Sequence, residues 1–157
     1  MKKILQLTII CLLFFSCKGQ EKKDSNKTYA ITKTESEWKS QLSEFEFYVL
    51  REAGTERPFS SELNDNKLKG TYVCAGCQNP LYKSENKFNS GTGWPSFDQA
   101  ITGSIDTNID YKLGYGRKEL LCGNCGGHLG HVFSDGPKET TGMRHCINGI
   151  SLNFIAE

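Results

Sequence analysis

The pattern of apolar and polar positions divides the chain into a short helical start and a longer β-prone part. The stretches 34–37 (TESE) and 43–46 (SEFE) each place a hydroxyl and a carboxylate three residues apart, which is the spacing of a helix capping box. They predict short helices near residues 35–42 and 44–53. In the second helix, Phe45, Tyr48 and Val49 share one face, and Gly54 is placed to end it.

After Pro58 the pattern changes to short β-prone runs separated by clusters of Gly, Asn, Asp and Ser. No alternation of strands and helices and no internal repeat is visible. The pattern therefore predicts small helices followed by an antiparallel β body. The predicted strands are Tyr72–Cys74, Leu81–Tyr82, Glu119–Cys122, Leu129–Phe133, Met143–Ile147 and Ser151–Ile155.

Composition narrows the class of protein. A length of 157 residues predicts one folded domain. A formal charge of +1 gives no basic field for a nucleic-acid partner, and 37% hydrophobic residues are too many for a disordered chain. The 16 glycines suit a turn-rich β protein, whereas the seven cysteines are unusual.

The first residues are typical of an export signal. Residues 1–17 place two lysines before an apolar stretch, as in a signal peptide, and this stretch is too short to span a membrane easily. Its end, Phe-Phe-Ser16-Cys17, resembles the lipobox of bacterial lipoproteins, so we expect a lipidated Cys17 and a membrane-anchored, exported protein. Plain secretion into the periplasm and an uncleaved anchor are the alternatives. Residues 18–31 are predicted to be a flexible tether, and 32–157 the folded domain.

Two CxxC pairs predict a structural metal site. Cys74 and Cys77 form one pair, Cys122 and Cys125 the other, and 44 residues separate the pairs. Two such turns supply the four thiolates of a tetrahedral zinc site, which leaves no open position for catalysis. Disulfides are an alternative, because an exported protein meets an oxidising compartment. A redox-active CxxC is weaker, because neither pair precedes a predicted helix.

One further thiol, Cys146, lies in the run Arg144-His-Cys-Ile-Asn148. On a strand, Arg144, Cys146 and Asn148 project from the same face. A guanidinium beside a thiol favours the nucleophilic thiolate, and the amide of Asn148 can orient or donate to an oxygen. A buried structural cysteine is the alternative.

His128 and His131 supply two imidazoles for acid–base chemistry, with metal ligation or a structural role as the alternatives. Trp94 lies on the turn Gly91-Thr-Gly-Trp-Pro-Ser-Phe97. It is suited to core packing or to one wall of a small apolar pocket.

Together, the CxxC pairs, SGTGWPSF, GGHLGHVF and RHCINGISLNF resemble the peptide methionine-R-sulfoxide reductases in motif and order over residues 34–157. The resemblance implies two small antiparallel sheets, in a sandwich-like or barrel-like core, with short N-terminal helices. It also implies thiol-dependent repair of oxidised proteins, because methionine sulfoxide is a reversible lesion with one enzyme for each epimer.

The resemblance also assigns roles to the residues. Cys146 attacks the sulfoxide sulfur and becomes a sulfenic acid, and His131 donates a proton to the leaving oxygen with help from His128 and Asn148. Arg144 keeps Cys146 as a thiolate, and Trp94 packs on the substrate methyl group.

The chain departs from many family members at Thr92, where they carry a resolving cysteine. We therefore expect a one-cysteine mechanism in which an exported, thioredoxin-like thiol reduces the sulfenic acid directly. His145 replaces an aromatic residue of the family, and on a strand it faces away from Cys146, so its effect is expected to be minor.

Two other functions fit parts of the sequence. A zinc-ribbon-like binding module explains the CxxC pairs without using Cys146 or the histidines. A Cys–His hydrolase, with Cys146 as nucleophile and His131 as base, needs an oxyanion hole and no reductant. Nothing in the sequence predicts an oligomer, so a monomer is expected by default.

Overall fold

A computed structural model describes residues 27–157, which form a mainly β domain preceded by two helices. The helices are α1 (Glu35–Gln41) and α2 (Glu44–Glu52), and three single-turn 3-10 helices cover Glu62–Asn64, Ser84–Asn86 and Gly149–Ser151. The strands of the described residues are β1 (Gly70–Cys74), β2 (Pro80–Lys83), β3 (Lys87–Phe88), β4 (Ser96–Phe97), β5 (Ile105–Asp110), β6 (Arg117–Cys122), β7 (His128–Phe133), β8 (Arg144–Ile147) and β9 (Leu152–Ala156).

The strands form two antiparallel sheets. The smaller sheet has the order β2-β1-β9, and the larger has the order β3-β4-β8-β7-β6-β5. Every strand pair is antiparallel. The predicted fold class, two small antiparallel sheets with N-terminal helices, is confirmed. The prediction missed three strands, β3, β4 and β5.

Both predicted helices are present, and each begins with the predicted capping box. Thr34 and Ser43 each accept the backbone N–H of the residue three positions later, and that residue's carboxylate accepts the cap N–H in return.

The apolar face of α2 that the spacing predicted is not the face that packs on the core. Phe45 and Tyr48 are exposed, whereas Phe47 and Leu50 are buried together with Val49. The left-handed residue that ends α2 is Ala53, with φ 53°, rather than Gly54. Gly54 instead makes room for a side chain, because a Cβ there would come within 2.2 Å of the Tyr48 ring as it is placed.

An aromatic cluster joins the two sheets. Tyr72 on β1 and Tyr82 on β2 are fully buried against Phe97 on β4. The rings of Tyr82 and Phe97 stack with centroids 4.2 Å apart, and Tyr72 meets Phe97 edge-on at 5.0 Å. This packing fixes β4, and with it the adjacent strand β8, relative to the smaller sheet.

A strained turn connects α2 to the β body. The Ser60 N–H donates to the Arg57 carbonyl at 3.3 Å, Pro58 occupies the second position, and Phe59 the third with φ 62°. Proline followed by a positive φ is the pattern of a type II turn, whose third position favours glycine. A phenylalanine in that conformation costs about 1–3 kcal/mol.

The predicted signal peptide, residues 1–17, and most of the predicted tether lie outside the described residues. The last residues of that tether contact the domain: the Tyr29 hydroxyl donates to Asp106 at 3.0 Å, and the Ile31 N–H donates to the Asn124 carbonyl. Within residues 27–157, every helix is too short or too polar to cross a bilayer.

Candidate active site

Four neighbouring strands place one side chain each in a row across the larger sheet. Cys146 on β8 pairs with Ser96 on β4 at one side and with His131 on β7 at the other, and His131 pairs with Glu119 on β6. Directly opposed residues of antiparallel strands project from the same face, with Cβ atoms about 4.5–5.5 Å apart. Cys146 and His131 are therefore neighbours on one face of the sheet.

Cys146 is partly buried, and its surroundings act on the thiol in opposite directions. Burial raises the pKa of the Cys146 thiol, while the positive charge of Arg144 and the hydroxyl of Thr92 oppose that rise without cancelling it. The Thr92 Oγ1 lies 4.0 Å from the Cys146 Sγ. The resting site therefore favours the thiol over the thiolate that the sequence predicted.

Thr92 belongs to a chain of hydroxyl groups that leads into the sheet. Its Oγ1 lies 2.8 Å from the Ser90 Oγ, which lies 2.7 Å from the Ser96 Oγ. The Ser96 hydroxyl donates to the Trp94 carbonyl at 3.1 Å. These contacts fix the side chain of Thr92 beside the sulfur of Cys146.

Arg144 is held by two partners, one at the end of β7 and one just after it. Its Nε and one terminal nitrogen donate to the two carboxylate oxygens of Asp135, each at 2.9 Å. Its guanidinium carbon lies 4.6 Å from the centroid of the Phe133 ring. Because a bidentate pair fixes the plane of the guanidinium, the charge beside Cys146 has a fixed position.

A carboxylate orients His131. The His131 Nε2 lies 2.9 Å from Asp110 Oδ2, and Arg117 makes an ion pair with the same carboxylate oxygen. Burial lowers the pKa of His131, and Asp110 opposes that effect. Burial also raises the pKa of Asp110, but the backbone amide of Lys112, His131 and Arg117 outweigh it and lower that pKa to about 2. Asp110 is therefore a carboxylate throughout the neutral range.

His128 is almost fully buried beside His131, with ring centroids 5.4 Å apart. Its Nδ1 lies 2.6 Å from the carboxylate of Glu119. Its Nε2 is buried without a hydrogen-bond partner among the described residues. Since a buried polar atom usually has a partner, this nitrogen is available to a ligand or water in the site.

Glu56 joins the predicted pocket wall to the turn that follows Cys146. The indole N–H of Trp94 donates to the Glu56 carbonyl at 3.2 Å. The buried Glu56 carboxylate accepts the backbone N–H groups of Gly149 at 2.6 Å and Ile150 at 2.9 Å. One residue thus positions both Trp94 and the backbone just after β8.

Asn148 follows β8 rather than lying on it, and its amide has backbone partners. The Oδ1 accepts the Glu56 N–H at 3.0 Å, and the Nδ2 donates to the Leu129 carbonyl at 3.0 Å. These bonds tie β7 to the segment before the strained turn. The side chain of Asn148 therefore holds the backbone around the site and is not free to move within it.

The four CxxC cysteines meet at one point, as predicted. Their sulfur atoms lie within 4.8 Å of one another. Cys74 Sγ lies 3.8 Å from Cys125 Sγ, and Cys77 Sγ lies 3.5 Å from Cys122 Sγ. A tetrahedron with zinc–sulfur bonds of about 2.3 Å requires sulfur atoms about 3.8 Å apart. All four cysteines are free, and these distances are too long for disulfides, so the donor set fits zinc.

The cysteine cluster connects the two sheets. Cys74 and Cys77 lie on the β1–β2 hairpin of the smaller sheet, and Cys122 and Cys125 lie on the β6–β7 hairpin of the larger one. The amide of Asn79 lies 3.7 Å from Cys122 Sγ and stabilises that sulfur as a thiolate. A metal ion held by these four sulfurs would tie together two hairpins that are distant in the sequence, as expected of a structural site.

Comparison with known families identifies the domain. The SelR domain matches residues 42–156, which include both CxxC pairs, Trp94, the histidine pair and Cys146. The chain belongs to the SelR domain family.

Curated relatives agree with this assignment. The chain is 48% identical over 130 residues to the peptide methionine sulfoxide reductase MsrB of Leptospira interrogans, a match that covers 82% of this chain and 98% of the relative. The protein of the same name from Methanosarcina barkeri is 50% identical over 82% of this chain and 90% of its own length. That from Bradyrhizobium diazoefficiens is 51% identical over 79% and 89%, respectively.

The SelR domain contains site residues that the sequence analysis missed. Asp110 and Glu119 each bind a histidine, Glu56 supports Trp94, and Asp135 holds Arg144. Acidic residues are common on every protein surface, so an Asp or Glu in the sequence does not by itself indicate a residue of the active site. Only the folded chain shows that these carboxylates pair with site residues.

The third histidine of the SelR domain lies outside the row. His145 pairs across the sheet with Phe97 and Val132, and its Nδ1 lies 3.2 Å from the buried Tyr82 hydroxyl. Burial lowers the pKa of His145 to about 4. It faces the core, away from Cys146, as predicted.

Proposed function

We propose that this chain reduces methionine-R-sulfoxide in oxidised proteins to methionine, with Cys146 as the nucleophile. The observation that carries the proposal is the direct pairing of Cys146 with His131 inside a SelR domain. The relatives named above, at about 50% identity, are peptide methionine sulfoxide reductases. Membership of the family supports the reaction class. We propose in addition that the enzyme acts on the R epimer and that the individual residues have the following roles.

The first step forms a sulfur–sulfur bond. The Cys146 sulfur, having given up its proton, attacks the sulfur of the sulfoxide while the sulfoxide oxygen takes up a proton. The sulfur–oxygen bond of the substrate then breaks and the oxygen bonds to the Cys146 sulfur. The sulfur–sulfur bond breaks with its electron pair left on the substrate sulfur, which releases methionine and leaves a sulfenic acid. The substrate sulfur gains two electrons, and the Cys146 sulfur loses two.

His131 is the proton donor in this proposal. It opposes Cys146 across the strand pair, and Asp110 stabilises its protonated form. His128 lies beside it, and its Nε2, which has no hydrogen-bond partner among residues 27–157, donates to the sulfoxide oxygen when the ring is protonated and accepts from a water when it is neutral. Because the sulfoxide oxygen gains negative charge as the sulfur is attacked, a positioned acid accelerates this step by about 10²–10⁴-fold.

The remaining predicted residues position these groups. The positive charge of Arg144 opposes the rise that burial causes in the pKa of Cys146, and so favours the thiolate that attacks the substrate. Trp94 forms the apolar wall for the substrate methyl group, with its ring fixed through Glu56. Asn148 holds β7 and the turn after Cys146, and it orients the site through the backbone.

Recycling uses an external thiol in this proposal. Thr92 lies 4.0 Å from the Cys146 sulfur, at the position of the family's resolving cysteine, and has no thiol, and the CxxC sulfurs form their own cluster. Two thiols of a thioredoxin-like reductant therefore return the sulfenic acid to a thiol, with release of water and formation of a disulfide in the reductant.

The CxxC cluster holds one structural zinc ion in this proposal, through Cys74, Cys77, Cys122 and Cys125. Zinc with four thiolate ligands has no free position for substrate, so its contribution is to tie the two sheets together.

The location of the protein is a separate proposal, based on the sequence of residues 1–17 alone. We propose an exported lipoprotein with lipid on Cys17, facing the periplasm or the cell surface, and a monomeric domain. Labelling with a radioactive fatty acid distinguishes the lipoprotein from a secreted form. Only the lipoprotein takes up the label, and it should take up none when Cys17 is replaced by Ser.

The decisive experiment uses residues 18–157 with separated R and S epimers of a blocked methionine sulfoxide and dithiothreitol. We expect methionine from the R epimer only, and none from a Cys146→Ser variant with unchanged zinc content. No turnover of either epimer by a folded, zinc-containing protein would favour the binding module. Turnover of an ester or amide without any thiol would instead indicate a hydrolase.

A further inference from the structure

Phe59 combines a strained backbone with an exposed aromatic ring. It occupies the third position of the turn Arg57–Ser60 with φ 62°, where glycine is the favoured residue. A bulky residue in this conformation is rare. Burial of the ring does not explain why phenylalanine occupies this position, because Phe59 is 70% exposed.

The ring lies at the edge of the active site. The Phe59 N–H donates to the Gly93 carbonyl at 2.7 Å. A Cβ added to Gly93 would come within 2.8 Å of the Phe59 ring, so the ring covers this glycine. Gly93 separates Thr92, which contacts Cys146, from Trp94. Phe59 therefore lies next to the loop that carries Thr92 and Trp94, the residue proposed to hold the substrate methyl group.

The segment that carries Phe59 is fixed before the turn and braced within it. Before the turn, the buried carboxylate of Glu56 binds Gly149 and Ile150. Within the turn, the Ser60 hydroxyl donates to the Arg57 carbonyl at 2.6 Å. An aromatic side chain on a fixed backbone loses little conformational entropy when a ligand packs on it.

We propose that Phe59 binds the residue next to methionine sulfoxide in a polypeptide substrate and favours an apolar or aromatic residue there. Methionine is mostly buried in proteins, among other apolar side chains. An oxidised segment therefore often carries an apolar neighbour, and an exposed ring beside the pocket is suited to bind it. The inference rests on the proposed reductase function, and it explains why the turn keeps phenylalanine where glycine is less strained.

The test compares the full domain with Phe59→Gly and Phe59→Leu on three substrates with dithiothreitol as reductant. The substrates are a blocked methionine-R-sulfoxide and two pentapeptides, in which this residue is flanked by Leu or by Ser. For Phe59→Gly we expect a KM about three- to tenfold higher on the Leu-flanked peptide. The KM for the Ser-flanked peptide and for the blocked amino acid should change little. Phe59→Leu should have a KM for the Leu-flanked peptide close to that of the wild type.

Thermal unfolding separates this role from a structural one. Because Phe59→Gly relieves the turn, its midpoint should equal or exceed that of the wild type. Ile155→Ala, an exposed apolar residue on β9 of the smaller sheet, is the matched control and should leave all three KM values unchanged. The proposal is overturned if Phe59→Gly raises the KM of all three substrates equally, or of none. A wild-type domain without turnover on any substrate refutes the reductase function instead.

Discussion

The Thr92 hydroxyl lies 4.0 Å from the sulfur of Cys146, on a loop in which Gly91 and Gly93 both have positive φ. Threonine at this position supplies no thiol to resolve a sulfenic acid on Cys146. We therefore expect Thr92→Cys to form one disulfide with Cys146 after a single turnover, and the wild type to form none. Peptide mapping by mass spectrometry after reaction with a single equivalent of methionine sulfoxide checks both outcomes.

Thr92→Ser is the matched control, because it keeps the hydroxyl and adds no thiol. It should stop at the sulfenic acid, which dimedone traps. An intramolecular disulfide to Cys146 in the wild-type protein would instead contradict the one-cysteine mechanism.

The rate of the reductive step should show a broad plateau with pH. The reacting form of the enzyme carries one proton in total on the pair Cys146 and His131, because Cys146 must have lost its proton and His131 must hold one. Burial lowers the pKa of His131 below the ordinary 6.5 and raises that of Cys146 above the ordinary 9.0. The rate therefore rises as pH passes the pKa of His131 and falls as pH passes that of Cys146. Single-turnover measurements from acid to alkaline pH test this profile.

Asp110→Asn tests whether His131 controls the acidic limb of that profile. Asp110 raises the pKa of His131, so its removal should move the acidic limb to lower pH and slow the step. His131→Gln should lower the plateau by about 10²–10⁴-fold, which is the usual contribution of a general acid. If the acidic limb is identical in Asp110→Asn and wild type, a different group controls it.

Glu56→Gln should destabilise the domain. The carboxylate accepts two backbone N–H groups, whereas an amide turns an N–H₂ group toward one of them. A buried N–H left without an acceptor costs about 1–3 kcal/mol of unfolding free energy. Urea denaturation measures the loss. Glu62→Gln, on an exposed carboxylate of a 3-10 helix, should change the free energy of unfolding by far less.

Cys122→Ser should release zinc and lower the thermal midpoint by more than about 10 °C, because metal binding contributes directly to folding at such sites. Zinc content by atomic absorption and thermal unfolding by circular dichroism test the two effects. Cys146→Ser is the matched control, since it removes a thiol outside the cluster. A zinc-free Cys122→Ser protein that unfolds at the wild-type temperature would show that the metal has no structural role.

The parts of the fold that follow from local sequence were predicted correctly. The two capping boxes fix where α1 and α2 begin, because both partners lie within four residues. The CxxC pairs predict a common metal site, because the spacing alone brings two sulfurs together. The buried face of α2 was missed because apolar residues occupy nearly every position of 45–50, and only packing selects among them.

Features that depend on distant pairing were not predictable. Strand β5 consists largely of polar, exposed residues and is a strand because it pairs with β6. Glu56 meets Gly149 across 93 positions of sequence, and Asp110 meets His131 across 21. No local pattern marks these carboxylates, since their partners are backbone groups and rings brought close by the sheet.

The row from Ser96 through Cys146 and His131 to Glu119 has a consequence for folding. Each neighbour comes from a different strand, and β4 and β8 are separated by more than forty residues of chain. The pair Cys146–His131 is closed by the neighbouring strands β7 and β8, whereas the contact with Ser96 closes a loop of about fifty residues, which costs more chain entropy. The complete row therefore requires strand β4 to join the sheet, and a chain in which β4 is detached keeps the reacting pair but loses the wall that carries Ser96.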